Sequence, residues 1–478
     1  MLMRRRRSAA TVVSLVLMLN AGSILRLDAQ SRSSRPPPAI EALGRDILTE
    51  LVGINTTADH GSTAAAQAVA ARARAAGFPE RDVVVVTPSG RSDKTSVVIR
   101  LRGRTSARPV LYITHLDVVD ARREDWTSDP FQLVERDGWL YGRGTIDMKG
   151  PLTAVLTSLL RMKQEGYVPG RDIIVAFTPD EETRGEYGVA WLFKEHRPLV
   201  DAALVINPDG GEAGLKAGRK LYVAVQTSEK IFTTFRLETT DKGGHSSRPT
   251  TENPIYRLAA GLERLEKLRF PVHLTETTKL YFAARADLES GAIQADMRAM
   301  LRGTPDPAAA ERLSAAVETN IQLRTTCTTT MIDGGHAENA LPQRARATVQ
   351  CRVVPGESPE SVAEAIRTVI ADPRIALSVV TPAIVAPDSP PTTDILGMVK
   401  DISRSLWPEV IVLPEMSAGA TDSVYPRSLG IPSYGIDGTF DDLDDARAHG
   451  RDERISVAAF AEELEFTHRF MRAIGDAR

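Results

Sequence analysis

The chain has 478 residues, 42% of them hydrophobic and 25% charged, with a formal net charge of −3 at pH 7. That length exceeds what one hydrophobic core ordinarily serves, so two domains of a soluble globular protein are expected. The mildly acidic balance argues against nucleic acid as a partner, and two cysteines, Cys327 and Cys351, are too few for a thiolate metal cluster.

Residues 1–29 read as a secretory signal, with a basic run Arg4–Arg7, an apolar segment from Ala9 to Leu19 and small residues near Ala29. The apolar segment is shorter than the roughly 20 residues that cross a bilayer, so no stable membrane span is expected. The expectation is export, to a periplasm. Residues 1–29 hold five Arg and one Asp, which leaves the remainder at −7. After the lead-in "SRSSRPPP" (31–38), strand-like runs alternate with helix-like ones to about residue 215. "PVLYIT" (109–114), "DIIVAF" (172–177) and "AALVIN" (202–207) are short apolar runs, the pattern of strands covered on both faces. "PLTAVLTSLL" (151–160) sets Leu152, Val155, Leu156, Leu159 and Leu160 on one helical stripe. This alternation predicts an α/β domain with a mostly parallel sheet, whose sites gather at the carboxyl ends of its strands.

Residues 217–385 differ. "RARATVQCRVV" (344–354) alternates Ala345, Ala347, Val349, Cys351 and Val353 with Arg346, Thr348, Gln350 and Arg352, a strand with one wet face. Helical stripes fall at Ile255, Leu258, Ala259, Leu262 and Leu265, and again over 358–370. The prediction is an antiparallel α+β domain, 217–385, inserted between the two parts of the first, 30–216 and 386–478.

In "DIIVAFTPDEETRGEYG" (172–188), Asp180, Glu181 and Glu182 follow a wholly apolar strand, where adjacent carboxylates repel one another and resist desolvation. The same layer carries His115 and Asp117 after one strand, Asp147 in a Gly-flanked loop before a helix, Asp209 after another strand, and His449 in a late loop. Singly, each has an ordinary explanation: an N-cap for Asp147, a turn for Asp209, a structural or solvated role for either His. Together they converge, and a pair of divalent cations offsets the clustered charge. Zinc takes His nitrogen and carboxylate oxygen, and two such cations can share one carboxylate. Glu181, left free beside a ligand, is placed to take a proton from water and deliver it to a leaving amine. Asp117 is expected to fix the His115 tautomer, and Asp180 to serve the turn.

The ordered stretches "THLDVV", "GWLYGRGTIDMKG", "PDEE", "PDGG", "GGHSSRP", "ENALP", "AGATDS" and "HGRDERIS" resemble the dinuclear zinc exopeptidase and aminoacylase family, the M20 metallopeptidases. The resemblance implies that Asp147 bridges two metals, one completed by His115 and Asp209 and the other by Glu182 and His449. It implies a lid domain that dimerises, with His245 reaching a neighbouring subunit's active site to help polarise the scissile carbonyl. Asn339 and Arg352 match positions that bind the substrate's carbonyl or carboxylate, a task that suits a planar guanidinium. Gly419 would offer backbone near the substrate terminus. Val424 departs from the pattern, since many relatives carry Arg there, and 268–325 is longer than a minimal lid needs. Cys327 and Cys351 can oppose one another on neighbouring strands and bridge in an oxidising compartment.

The expectation is therefore an exported homodimeric hydrolase with two Zn2+ ions, Co2+ or Mn2+ being the alternatives. It would cleave the amide bond of a small peptide or N-acyl amino acid next to a free carboxylate. A deacylase of one biosynthetic intermediate is the nearest rival, and export argues against it. A metal- or peptide-binding protein is the other, but it would have no use for an unliganded Glu181.

Overall fold

A computed structural model describes residues 33–183 and 185–477, so the signal-like segment 1–29 lies outside the described residues. A ten-stranded sheet organises the larger layer, in the order Val83–Val86, Ser96–Leu101, Ile173–Thr178, Val110–His115, Leu204–Asn207, Ser433–Gly435, Arg219–Glu229, Glu212–Lys216, Phe440–Asp442, with Ile411–Ser417 also paired to Arg219–Glu229. Its centre is parallel from Ile173–Thr178 to Ser433–Gly435. The fold is thus α/β with a large, mainly parallel sheet.

Every residue of Val110–His115 and Ile173–Thr178 is buried, as continuous apolar runs demand. Parallel neighbours need a crossover, and the helix Lys149–Gln164 supplies it, burying Leu152, Val155, Leu156 and Leu159 completely. His115 stands opposite Thr178 in register, so the residues after both strands emerge at one edge of the sheet. The turn after Leu204–Asn207 opens beside them. That shared edge gathers side chains distant in sequence.

The second layer is a four-stranded antiparallel sheet, Thr326–Gly334, Arg344–Val353, Ile231–Thr240, Ala376–Thr381. The helices Pro254–Glu266 and Pro359–Ile370 cover one of its faces, with Phe235, Leu237, Leu258, Val349 and Ile366 in the core between them. Cys327 lies directly opposite Cys351, and the two form a disulfide with a Cα–Cα distance of 4.1 Å.

The start of this layer differs from the expected 217. Arg219–Glu229 pairs within the large sheet, and Val223, Ala224 and Val225 are consecutively buried, so both its faces are covered. Only Lys230 separates it from the lid strand Ile231–Thr240. The long 268–325 segment also departs from a lid role: Tyr281, Phe282, Met297 and Leu323 pack with Ala224 and Leu413 of the large sheet. Among the described residues no helix is long and apolar enough to cross a membrane.

Candidate metal centre and active site

His115 closes its strand, and its ring is fixed from both sides. Nδ1 lies 2.9 Å from the Asp117 backbone oxygen. A carbonyl only accepts, so Nδ1 carries the proton and Nε2 offers a lone pair to the site. Nε2 is 3.1 Å from Asp147 Oδ1 and 3.7 Å from Asp209 Oδ1. The expected role of the Asp117 side chain is corrected here. Its carboxylate stands 3.8 Å from Nδ1 and accepts instead from the backbone N–H groups of Glu181, at 3.3 Å, and Glu182, at 3.1 Å. The main chain of Asp117 orients the histidine, and its side chain holds the acidic loop.

Asp147 stands between two imidazoles. Its Oδ2 is 2.9 Å from His449 Nε2, which in turn lies 3.2 Å from Glu182 Oε2. The loop that presents Asp147 is wrapped around Glu453. That buried carboxylate accepts from the backbone N–H groups of Gly144 (3.0 Å), Ile146 (2.8 Å) and Asp147 (3.1 Å), and from Arg143 Nη1 at 2.6 Å. Arg143 Nη2 also donates to the Gly450 carbonyl at 3.0 Å. One ion pair therefore joins the loops carrying Asp147 and His449.

Asp180, expected to serve the turn, does more. It sits at a φ of 80° and its Oδ1 is 2.9 Å from Lys94 Nζ, both side chains being buried. Its other oxygen accepts from the Tyr187 N–H at 3.1 Å. Lys94 and Glu453 are missing from the sequence reading. Glu453 lies inside "HGRDERIS", but nothing local distinguishes it from the charged residues around it. Asp422, in "AGATDS", also went unassigned, and burial pushes its carboxyl well above the usual range.

The electrostatics follow from crowding. Hydrogen bonds to Asp147 first and Glu182 second raise His449 to about 10. Burial works to raise Asp147, but His115 and His449 outweigh it and hold its carboxyl well below the ordinary value. Burial, reinforced by the Asp209 charge, lifts Glu181 far above the usual carboxylate range, and burial raises Asp209 as well.

These residues fit divalent cations. Each oxygen of Asp147 faces a different histidine. Ligand atoms of His115, Asp147 and Glu182 lie within 4.8 Å of one another, and Glu182 Oε1 is buried without a hydrogen-bond partner among the described residues. Nitrogen and carboxylate donors of this kind suit zinc and its neighbours.

Glu181, Glu182 and His449 open onto a cleft of about 780 Å³ that is also lined by Arg352 and Phe232 of the antiparallel layer. The Arg352 guanidinium lies 4.8 Å from the Phe232 ring centre and makes no ion pair among the described residues; its Nη1 is unpartnered. His245, Asn339 and Gly419 do not line this cleft. His245 and Asn339 are exposed neighbours on the lid, where the Ser246 N–H donates to the Asn339 carbonyl at 3.0 Å. The Gly419 N–H donates to Ser417 Oγ at 3.0 Å.

Residues 111–473 match the profile of peptidase family M20/M25/M40. The chain is 30% identical over 369 residues to the human N-fatty-acyl-amino acid synthase/hydrolase PM20D1, covering 76% of this chain and 73% of that protein. Its fold is similar to the M20 family metallo-carboxypeptidase Sso-CP2 of Sulfolobus solfataricus, with a TM-score of 0.68 at 17% identity over 90% of this chain and 99% of that one. It is also similar to the Bacillus subtilis YXEP protein, a dinuclear metal binding peptidase, with a TM-score of 0.56 at 12% identity over 91% and 99%. The chain belongs to peptidase family M20/M25/M40, and it is a metallohydrolase of the peptidase and aminoacylase type.

Proposed function

We propose that this hydrolase cleaves an amide bond next to a free carboxylate in a small peptide or N-acyl amino acid. The observation that carries this reading is Glu181, a carboxylate in the cleft wall, beside Glu182, with no ion pair of its own among the described residues. Asp147 as the shared ligand, with His115 and Asp209 on one side and Glu182 and His449 on the other, would hold two cations, zinc first among them. When bound, the cations activate water and polarise the scissile carbonyl. Glu181 accepts a proton as the water oxygen bonds to carbonyl carbon, then returns it to nitrogen as the C–N bond breaks. Arg352 lines the cleft and receives the substrate carboxylate.

Three features refine this reading. Val380, Pro382, Ile384, Val424 and Tyr425 give the cleft an apolar wall, which supports an acyl chain and agrees with the activity in the human relative's name. The Cys327–Cys351 disulfide supports an oxidising compartment and hence export. The exposed position of His245 and Asn339, outside their own cleft, supports their use in a second copy's site and a homodimer.

The test is a panel of dipeptides and N-acyl amino acids, hydrolysed by zinc-loaded protein with a chelator control. Glu181→Gln should lower turnover by about 10²–10⁴-fold while cation content stays near normal. Lost cations in that variant, or turnover indifferent to chelation, would overturn the reading.

A further inference from the structure

Asp388 lies in the segment that returns from the lid strand Ala376–Thr381 to the large layer, and it forms part of the cleft wall. Its backbone is fixed there. The buried Ser389 donates its N–H to the Thr227 carbonyl at 2.8 Å and its Oγ to the Ser433 carbonyl at 2.7 Å. Asp388 Oδ1 accepts from Ser228 Oγ at 2.5 Å. Its other oxygen makes no hydrogen bond, and the carboxyl makes no ion pair, among the described residues. The side chain is partly exposed, so that oxygen is open to the cleft. The cations whose charge reaches Asp388 are taken: Arg427 stands 3.4 Å from Glu229 Oε1, and His273 Nδ1 stands 3.1 Å from Glu357 Oε1. Burial raises the Asp388 carboxyl above its usual value, with the Ser228 hydrogen bond, Arg427 and His273 opposing it. An incoming cation would relieve that cost of desolvation.

A carboxylate with one open oxygen discriminates by charge. A ligand carboxylate is repelled, and an alkyl end leaves the oxygen unpaired, whereas an ammonium or guanidinium gives it a charge-assisted hydrogen bond. Ala386 and Pro387, the two preceding residues, also line the cleft, so an aliphatic stem can run along them to a cationic head at Asp388. Ser228, the donor to Asp388, immediately precedes Glu229, and the Glu229 charge acts on Arg352. Asp388 and Arg352 therefore flank the Glu229–Arg427 pair. One amino-acid residue can present its carboxylate to Arg352 and its side chain to Asp388. We propose that Asp388 is a specificity-determining residue that selects a basic side chain, lysine or arginine, in the amino-acid half of the substrate. This rests on the amide-hydrolase reading above and names the substrate class within it.

The test uses the full chain carrying Glu181→Gln, zinc-loaded, titrated calorimetrically with Nα-acetyl-lysine and Nα-acetyl-norleucine, which share an aliphatic stem and differ in the ammonium. Lysine should bind about tenfold more tightly or better, the worth of one charge-assisted hydrogen bond. Nα-acetyl-glutamate should bind more weakly than norleucine. Adding Asp388→Asn should bring lysine to parity with norleucine. Equal affinities for lysine and norleucine with Asp388 intact, or no measurable binding of lysine, overturn the subsite whether or not the Asn variant folds. A lysine preference that survives Asp388→Asn overturns it as well. If Asp388 served a free amino terminus instead, the two affinities would be equal, because neither ligand carries one. Failure of the unsubstituted enzyme to hydrolyse any N-acyl amino acid or dipeptide strikes the parent reading, a separate result read in a separate assay.

Discussion

Lys94 Nζ and Asp180 Oδ1 lie 2.9 Å apart with both side chains buried, and this pair anchors the residue that immediately precedes Glu181 and Glu182. Lys94→Met would leave the Asp180 carboxylate buried without its cation. Breaking such a pair from one side costs about 3–5 kcal/mol. Denaturant unfolding should show that loss. At temperatures where the variant is folded, kcat should fall more than KM rises, because the acidic loop loses its anchor. A variant with unchanged stability and unchanged kcat would contradict this role.

Glu453 organises the Asp147 loop through three backbone N–H groups and Arg143. Glu453→Gln removes the charge that pairs with the buried guanidinium and offers the loop one oxygen instead of two. Stability should drop by about 3–5 kcal/mol, and bound cation per chain, read by elemental analysis, should fall below that of the parent protein. Arg143→Met should act in the same direction. Retention of full cation content in both variants would show that the loop keeps its shape without the pair.

The disulfide closes a sequence separation of 24 residues between two strands of the lid sheet. Constraint of an unfolded loop of that order is worth about 3 kcal/mol. Reduction, or Cys327→Ser with Cys351→Ser, should shift the lid's unfolding to lower denaturant by a corresponding amount. Coincident unfolding curves for oxidised and reduced protein would exclude a stabilising role.

His468 is held to about 3, first by burial and then by Arg161, Arg472 and Arg469. It is therefore neutral in the fold, while the unfolded chain takes up a proton below about 6.5. Its contribution is intact above that value and declines as pH falls towards 3, by at most about 1.4 kcal/mol per pH unit. His468→Gln removes this acid limb. The stability gap between parent and variant should narrow between pH 7 and pH 4.5, and a gap independent of pH would refute the assignment.

The central strands were readable because their apolar runs lack a polar face, and full burial of Val110–His115 and Ile173–Thr178 is what that pattern means. The cluster of His115, Asp147, Glu182, Asp209 and His449 was readable for a chemical reason, since carboxylates crowded behind apolar strands need a compensating charge. The lid boundary was not. Arg219–Glu229 and Ile231–Thr240 are both strand-like, and only pairing partners far along the chain place them in different sheets.

Residue type and order alone determined the layer class and pointed to the histidines and carboxylates that the structure brings together. Tertiary structure decided which donor serves which neighbour. It gave the Asp117 carboxylate to two backbone N–H groups rather than to His115, joined Arg143 to Glu453 across 310 residues, and matched Lys94 to Asp180. The reason is physical: hydrophobic periodicity is a local signal carried by neighbours, whereas a hydrogen bond between distant loops depends on the crossovers and sheet edges that bring its ends together.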